Sequence, residues 1–244
     1  MPRRILIPLV AAAALIVVGG AGAYAYFFSG LRTSPSALTL SSPSPSTSAS
    51  ASAGASASPT AASGGTWTVA SGSLAGYRVK EQFVGQSSAH EAVARTSGVS
   101  GTVIITKSGD TYVLSSATIT VQLSGLASVD SVAGYNVTNR DRIVQQALGV
   151  QSFPTAVFVA SSVELPAAAA TGQQVTVSVP GKLTIHGVTK DVTASLQLRV
   201  SGSTAQVAGS IATNMTDFGV NPPSIGFTTV QPAVTIEVSL NLAQ

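Results

Sequence analysis

The chain has 244 residues, of which 9% are charged and 45% apolar. Soluble proteins carry about 25% charged residues, so a highly charged disordered chain and a coiled coil are both excluded. The net charge of +3 is local: Arg3, Arg4 and Arg32 precede the folded part, and from Trp67 onward nine basic residues balance nine acidic ones. A neutral domain has no phosphate-neutralising stripe, which argues against nucleic acid as a partner. With no Cys there are no disulfides, thiol nucleophiles or Cys-held zinc, and two His leave little for a His-based metal site. No metal and no cofactor are expected.

Residues 1–31 read as a membrane anchor or signal segment. Arg3 and Arg4 precede an uncharged run from Ile5 to Leu31. As a helix, Ile5–Phe28 would span about 36 Å, more than the ~30 Å hydrocarbon core. Tyr24, Tyr26, Phe27 and Phe28 fall where an aromatic belt would lie, and the positive-inside rule places residues 32–244 outside the cytoplasm. A cleaved signal peptide is the competing reading, with Ala21-Gly22-Ala23 and Ala23-Tyr24-Ala25 as cleavage-like triplets. Either way the rest is exported: anchored to the membrane by an N-terminal helix, or secreted.

Residues 32–66 are the next zone, a linker of Ser, Ala, Pro, Thr and Gly. Within 33–65 the exceptions are Leu38 and Leu40. Such a run lacks the apolar area to offset its ordering entropy and is expected to be a disordered tether. As a coil it would span roughly 30 Å, and fully extended roughly 110 Å.

Residues 67–244 form one domain dominated by period-two alternation. In chain order the predicted strands are 77–84, 102–107, 111–123, 156–165, 174–179, 191–200, 204–212 and 233–242. The last is the clearest, with Val234, Ile236, Val238, Leu240 and Leu242 on one face. About eight strands with one apolar face each describe an antiparallel sheet with one wet side. A closed barrel and a two-sheet sandwich both satisfy this periodicity. One segment differs: Asn139–Leu148 reads as a short helix, with Asn139 as N-cap, Asp141 in the first turn and Gly149 as its stop.

Signals for catalysis are scarce. There is no G-x-S-x-G elbow, phosphate loop or H-E-x-x-H motif. Ser87 and Ser88 lie near His90, but adjacency in sequence is not a triad. Three polar clusters stand out amid apolar residues. Asn139-Arg140-Asp141-Arg142 opens the short helix and reads first as a cap with a salt-bridged flank. Lys182–Lys190 contains His186-Gly187, expected as a hairpin turn with Gly187 at positive φ. Thr216–Val220 precedes Asn221-Pro222-Pro223, a loop that must break the sheet.

In order, Arg140-Asp141, Phe153-Pro154, Leu183-Thr184-Ile185-His186-Gly187-Val188-Thr189-Lys190 and Asp217-Phe218-Gly219-Val220 resemble the signature series of the YceI-like family. The likeness extends over nearly all of 67–244. The resemblance implies an elongated, lipocalin-like antiparallel β-barrel with one short helix, whose apolar interior holds a polyisoprenoid or similar long-chain lipid. It also implies an exported protein that is not an enzyme. Asn214-Met215-Thr216 stands where Arg or Lys is expected before Asp217-Phe218.

The physical expectation is a hollow barrel. Eight strands enclose either packed side chains or one slender ligand, and the expected inward set is small: Ala117, Val121, Val157, Val159, Val175, Val177, Ala194 and Val234. The candidate lining residues are Phe83, Ile119, Val121, Phe153, Phe158, Ile185, Leu196 and Phe218. Arg140 and His186 are candidate headgroup contacts. The rival reading is a ligand-free structural or adhesive β-module displayed on a stalk, which predicts a filled core.

Overall fold

The computed structural model describes residues 32–41, 64–85, 88–132 and 136–244. The anchor or signal segment expected at 1–31 lies outside these residues, as does most of the linker. Among the described residues no helix is long and apolar enough to cross a membrane.

In chain order the first strands are β1 (Arg32–Thr33), β2 (Gly65–Val69), β3 (Leu74–Phe83), β4 (His90–Thr96), β5 (Val99–Ser108) and β6 (Thr111–Gln122). Two short strands, β7 (Ala127–Ser128) and β8 (Ser131–Val132), lead to the helix α1 (Thr138–Ala147). Then come β9 (Thr155–Ala160), β10 (Val163–Leu165), β11 (Val175–Ile185), β12 (Val188–Ser201), β13 (Thr204–Asn214), β14 (Ser224–Ile225) and β15 (Thr228–Ala243).

The sheet closes on itself. Around the ring run β13, β12, β11, β9, β6, β5, β2 and β15, and β15 pairs back onto β13 from Thr204↔Ala243 to Asn214↔Ala233. Every pairing is antiparallel, and because the β13–β15 seam closes the ring, the barrel alternative holds over the sandwich. Closure removes the unpaired edges that a sandwich would leave. β15 also pairs with β3, whose far side carries β4 and then β7. At 16 residues β15 runs roughly 50 Å, giving the barrel its length. Its pairing with β3 shifts register between Val230 and Val234, where Pro232 has no N–H to donate.

The expected turn at His186-Gly187 is present. Ile185 pairs with Val188, and both turn residues have positive φ, 52° and 73°. That is the backbone twist a two-residue hairpin needs. The helix begins at Thr138, one residue before the expected N-cap Asn139, and Asn136 Oδ1 accepts the Thr138 N–H at 3.1 Å.

Three expectations are corrected. The run 156–165 is two strands: β9 sits in the barrel wall, and β10 turns back to pair with β6. β2 and β4 are strands that the alternation does not predict. The linker does not stand off the domain along its whole length, because residues 32–41 lie extended against the barrel wall. β1 pairs with β8, Ser34 Oγ donates to the Glu91 carbonyl, and Arg78, Arg95 and Arg199 donate to the carbonyls of Pro35, Ser36 and Ser41. This strap runs from the α1 end of the barrel toward the opposite end.

Beneath the strap sits Glu237, on the outward face of β15 yet only 2% exposed. It accepts from Arg78 Nε and Arg95 Nε, each at 2.8 Å, and from the Leu38 N–H at 3.1 Å. Burial acts to raise its pKa, but these donors outweigh burial and hold the carboxyl below the usual carboxylate range.

Candidate ligand cavity

Alternation aims one row of each strand inward. From β15 these are Val234, Ile236, Val238, Leu240 and Leu242; from β11, Val177, Val179, Leu183 and Ile185. Together with the inward rows of the other strands they line a cavity of about 470 Å³. That lies within the range of pockets that bury small ligands. The lining is almost wholly hydrocarbon. Two of its buried polar atoms, Trp67 Nε1 and Thr228 Oγ1, have no partner among the described residues.

The cavity reaches the surface at one end. Among its lining residues Asn136, Asn139 and Phe227 are exposed, and all three lie at the α1 end. Helix α1 lies across that end, turning Ile143, Val144, Ala147 and Leu148 toward the lumen.

Charge gathers at the same end. Glu81 falls on the inward face of β3, between Val79 and Phe83, and is 4% exposed. Arg140, from α1, donates from Nη1 to Glu81 at 3.1 Å, from Nη2 to Asp130, and to Ser128 Oγ from Nε at 3.2 Å and Nη2 at 2.8 Å. Asp130 also accepts the Val93 N–H at 3.0 Å and bonds His90 Nε2 at 2.6 Å. An ionised carboxylate only accepts, so His90 Nε2 carries that proton. Burial raises the Glu81 carboxyl above its ordinary value, and Arg140 only partly offsets it. For Asp130 burial also acts upward, but the bonds from His90 and Arg140 prevail and lower it. Asp141 accepts the Ser128 N–H at 3.0 Å, which pins α1 to β7.

Of the candidate lining residues, Phe83, Ile119, Val121, Phe158, Ile185, Leu196 and Phe218 line the cavity, as does Arg140. Phe153 and His186 do not. They pack edge-on against each other with centroids 4.9 Å apart, and His186 Nδ1 lies 3.3 Å from the Phe218 carbonyl oxygen. The turn that puts His186 at positive φ carries its ring over Gly149 and away from the lumen. Val157, Val159 and Val175, expected inward, are also absent from the lining, and Val159 is 44% exposed on the outer wall. Glu81, His90 and Asp130 carry no motif that would single them out. The one readable signal is Glu81, a carboxylate on the apolar face of an alternating strand.

A closed antiparallel barrel around an apolar lumen, with its charged groups collected at one mouth, defines a hollow β-barrel able to enclose one slender ligand. More particularly, the YceI-like domain model matches residues 67–242, and the chain belongs to the YceI-like family. Its fold is similar to that of a polyisoprenoid-binding domain from Saccharophagus degradans implicated in plant cell wall breakdown (TM-score 0.52, 16% identity, covering 72% of this chain and 97% of that one). BcnA of Burkholderia cenocepacia aligns with a TM-score of 0.45 at 19% identity, over 68% of this chain and 95% of that one. A YceI protein of Campylobacter jejuni aligns with a TM-score of 0.33 at 16% identity, over 57% and 79%. No curated protein matches the sequence.

Proposed function

We propose that this protein is an exported, membrane-anchored carrier that shelters a polyisoprenoid-like lipid chain inside its barrel. The observation that carries this reading is the apolar cavity of about 470 Å³ inside the barrel. A stalk-displayed module has no use for such a lumen and would be expected to fill it. The similarity to a polyisoprenoid-binding domain supports the choice of ligand class.

The energetics favour a hydrocarbon. Each buried methylene contributes about 0.8 kcal/mol, so a few isoprene units give gross binding above ~10 kcal/mol before the cost of ordering. The tail lies along Ile119, Val121, Phe158, Leu196 and Phe218. The headgroup stays at the mouth, near Arg140 and the unpartnered hydroxyl of Thr228. Arg140 is already held by two carboxylates, so it positions an oxygen and leaves most of the affinity to the tail. Export and anchoring rest on the charged start and apolar run of residues 1–31, and nothing in the reading requires a nucleophile or metal.

Native mass spectrometry of the full chain, purified in mild detergent, tests this. A co-purifying lipid, or saturable binding of one polyprenyl probe per chain, is the expected result. A protein that arrives empty and takes up no polyprenyl chain, quinone or fatty acid overturns the carrier reading.

A further inference from the structure

We propose that the strap of residues 32–41 fixes the barrel with its cavity mouth facing the membrane, so that the lipid passes between bilayer and lumen without crossing water. This rests on the reading of residues 1–31 as a membrane segment and of the cavity as a lipid site.

Three observations lead there. The first is where the strap begins. Arg32 pairs with Val132 and Thr33 with Ser131. Val132 itself lines the cavity, and Asn136, four residues on, is one of the exposed lining residues that mark the mouth. Only Ser29, Gly30 and Leu31 lie between Phe28, where the expected span ends, and Arg32, the first docked residue. A membrane helix ending there delivers the chain to the mouth rather than to the flank or the closed end.

The second is the direction and hold of the strap. From β8 it passes the Glu91 carbonyl, then the guanidinium groups of Arg78 and Arg95, then Glu237, and ends with the Ser41 carbonyl on Arg199. Arg199 lies two residues before the end of β12, at the opposite end of the barrel. The strap therefore runs lengthwise away from the mouth, and three arginines grip main-chain carbonyls along it. The low-complexity run is bracketed by Ser41 and Gly64, both against the barrel. It is thus an insertion between two docked points, and it does not set the distance between membrane and barrel.

The third is the surface at the mouth. Phe227 is 48% exposed and Val84 is 74% exposed. The Val84 N–H donates to the Phe227 carbonyl at 2.9 Å, which sets the two side by side. Apolar side chains presented on the rim, next to the point where a membrane helix would arrive, suit insertion at the level of the lipid headgroups.

The chain has no Cys, so a single introduced thiol labels one place. We would place a fluorophore on Val84→Cys, at the rim, and on Ser203→Cys, in the β12–β13 turn at the opposite end; neither residue lines the cavity. The full chain is reconstituted in phosphatidylcholine–phosphatidylglycerol vesicles that carry a nitroxide quencher on the lipid headgroup. Strong quenching at position 84, with little at 203, is expected. Inserting twenty Gly/Ser residues between Leu31 and Arg32 leaves every barrel residue in place but adds roughly 25 Å of reach. It should bring the quenching at 84 down several-fold and slow transfer of a polyprenyl probe from vesicle to protein. Equal quenching at 84 and 203, or quenching at 84 that survives the insertion, overturns the placement of the mouth. Vesicle flotation separates the causes. A chain that fails to float refutes the membrane segment and the proposal with it; a chain that floats unquenched refutes only the orientation.

Discussion

Val177 faces the lumen from β11, opposite Leu196 of β12. Replacing it with Trp adds about seven non-hydrogen atoms to the lumen and displaces roughly as many tail carbons, an upper limit of about 5–6 kcal/mol at ~0.8 kcal/mol per methylene. A tail that slides along the channel recovers much of this. The expected loss is ~1.4–2.8 kcal/mol, or roughly ten- to hundred-fold in Kd. Because the indole enters open space, the fold should lose less than ~1 kcal/mol. The same substitution at Ala92, which is 0% exposed and outside the lining, overpacks a filled site and should cost ~1–3 kcal/mol or more. Titration with a fluorescent polyprenyl probe, paired with urea unfolding, reads both quantities. Unchanged affinity would falsify the assignment of the lumen as the binding site. A Val177→Trp variant as unstable as Ala92→Trp would mean that the interior is already filled.

The outer wall gives three further expected outcomes. Glu237→Ala leaves Arg95, 16% exposed, without a carboxylate, and Arg78, 10% exposed, with only the part-exposed Glu91. Breaking a buried pair from one side costs ~3–5 kcal/mol, so about 3 kcal/mol is expected once water enters beneath the strap, and a urea-unfolding shift below ~0.5 kcal/mol would contradict this. The folded-state pKa of Glu237 is depressed, so its stabilisation is present above the unfolded value near ~4.3 and fades as pH falls through the folded one. Hydrogen-exchange protection of the Leu38 amide should therefore hold at pH 5–7 and drop only in stronger acid; a drop already complete at pH 5 would refute it. By contrast Lys182 and Asp191 form a 2.8 Å pair that is 64% and 85% exposed. Asp191→Ala should move unfolding by no more than about 0.5 kcal/mol, and a larger change would show that the pair does more than an exposed contact can.

The barrel is legible where one face of a strand meets water. β11, β12 and β15 alternate cleanly because their outer rows are largely polar, and the His186-Gly187 turn is legible because few dipeptides accept two positive φ values. The misses have the same physical root. In β4, Ala92, Val93 and Ala94 are all buried, since the segment around Val129 bonds to the Val93 carbonyl and covers the outer face. With both faces covered, no period of two appears. β9 is apolar on both faces, so Val157 and Val159 could be aimed either way, and packing puts Ala156, Phe158 and Ala160 inside. The docked strap leaves one trace: Leu38 and Leu40, the exceptions in a run of small residues, stand two apart as in a strand and are half-buried. The charged cluster at the mouth joins β3, β4, the β7–β8 segment and α1, which are remote in sequence, and only the closed fold brings them together.

β15 is the last strand of the barrel in chain order, yet both seams depend on it: β13 on one side, β2 and β3 on the other. Val79 meets Val234 and Val69 meets Leu242, contacts that span most of the domain. Pairings of such long reach are slow to form, and none of them can form before the final sixteen-residue strand has been synthesised. The barrel therefore cannot close until β15 is available to both seams. Until then the earlier strands wait with both seams open, and β15 acts as the latch that shuts them.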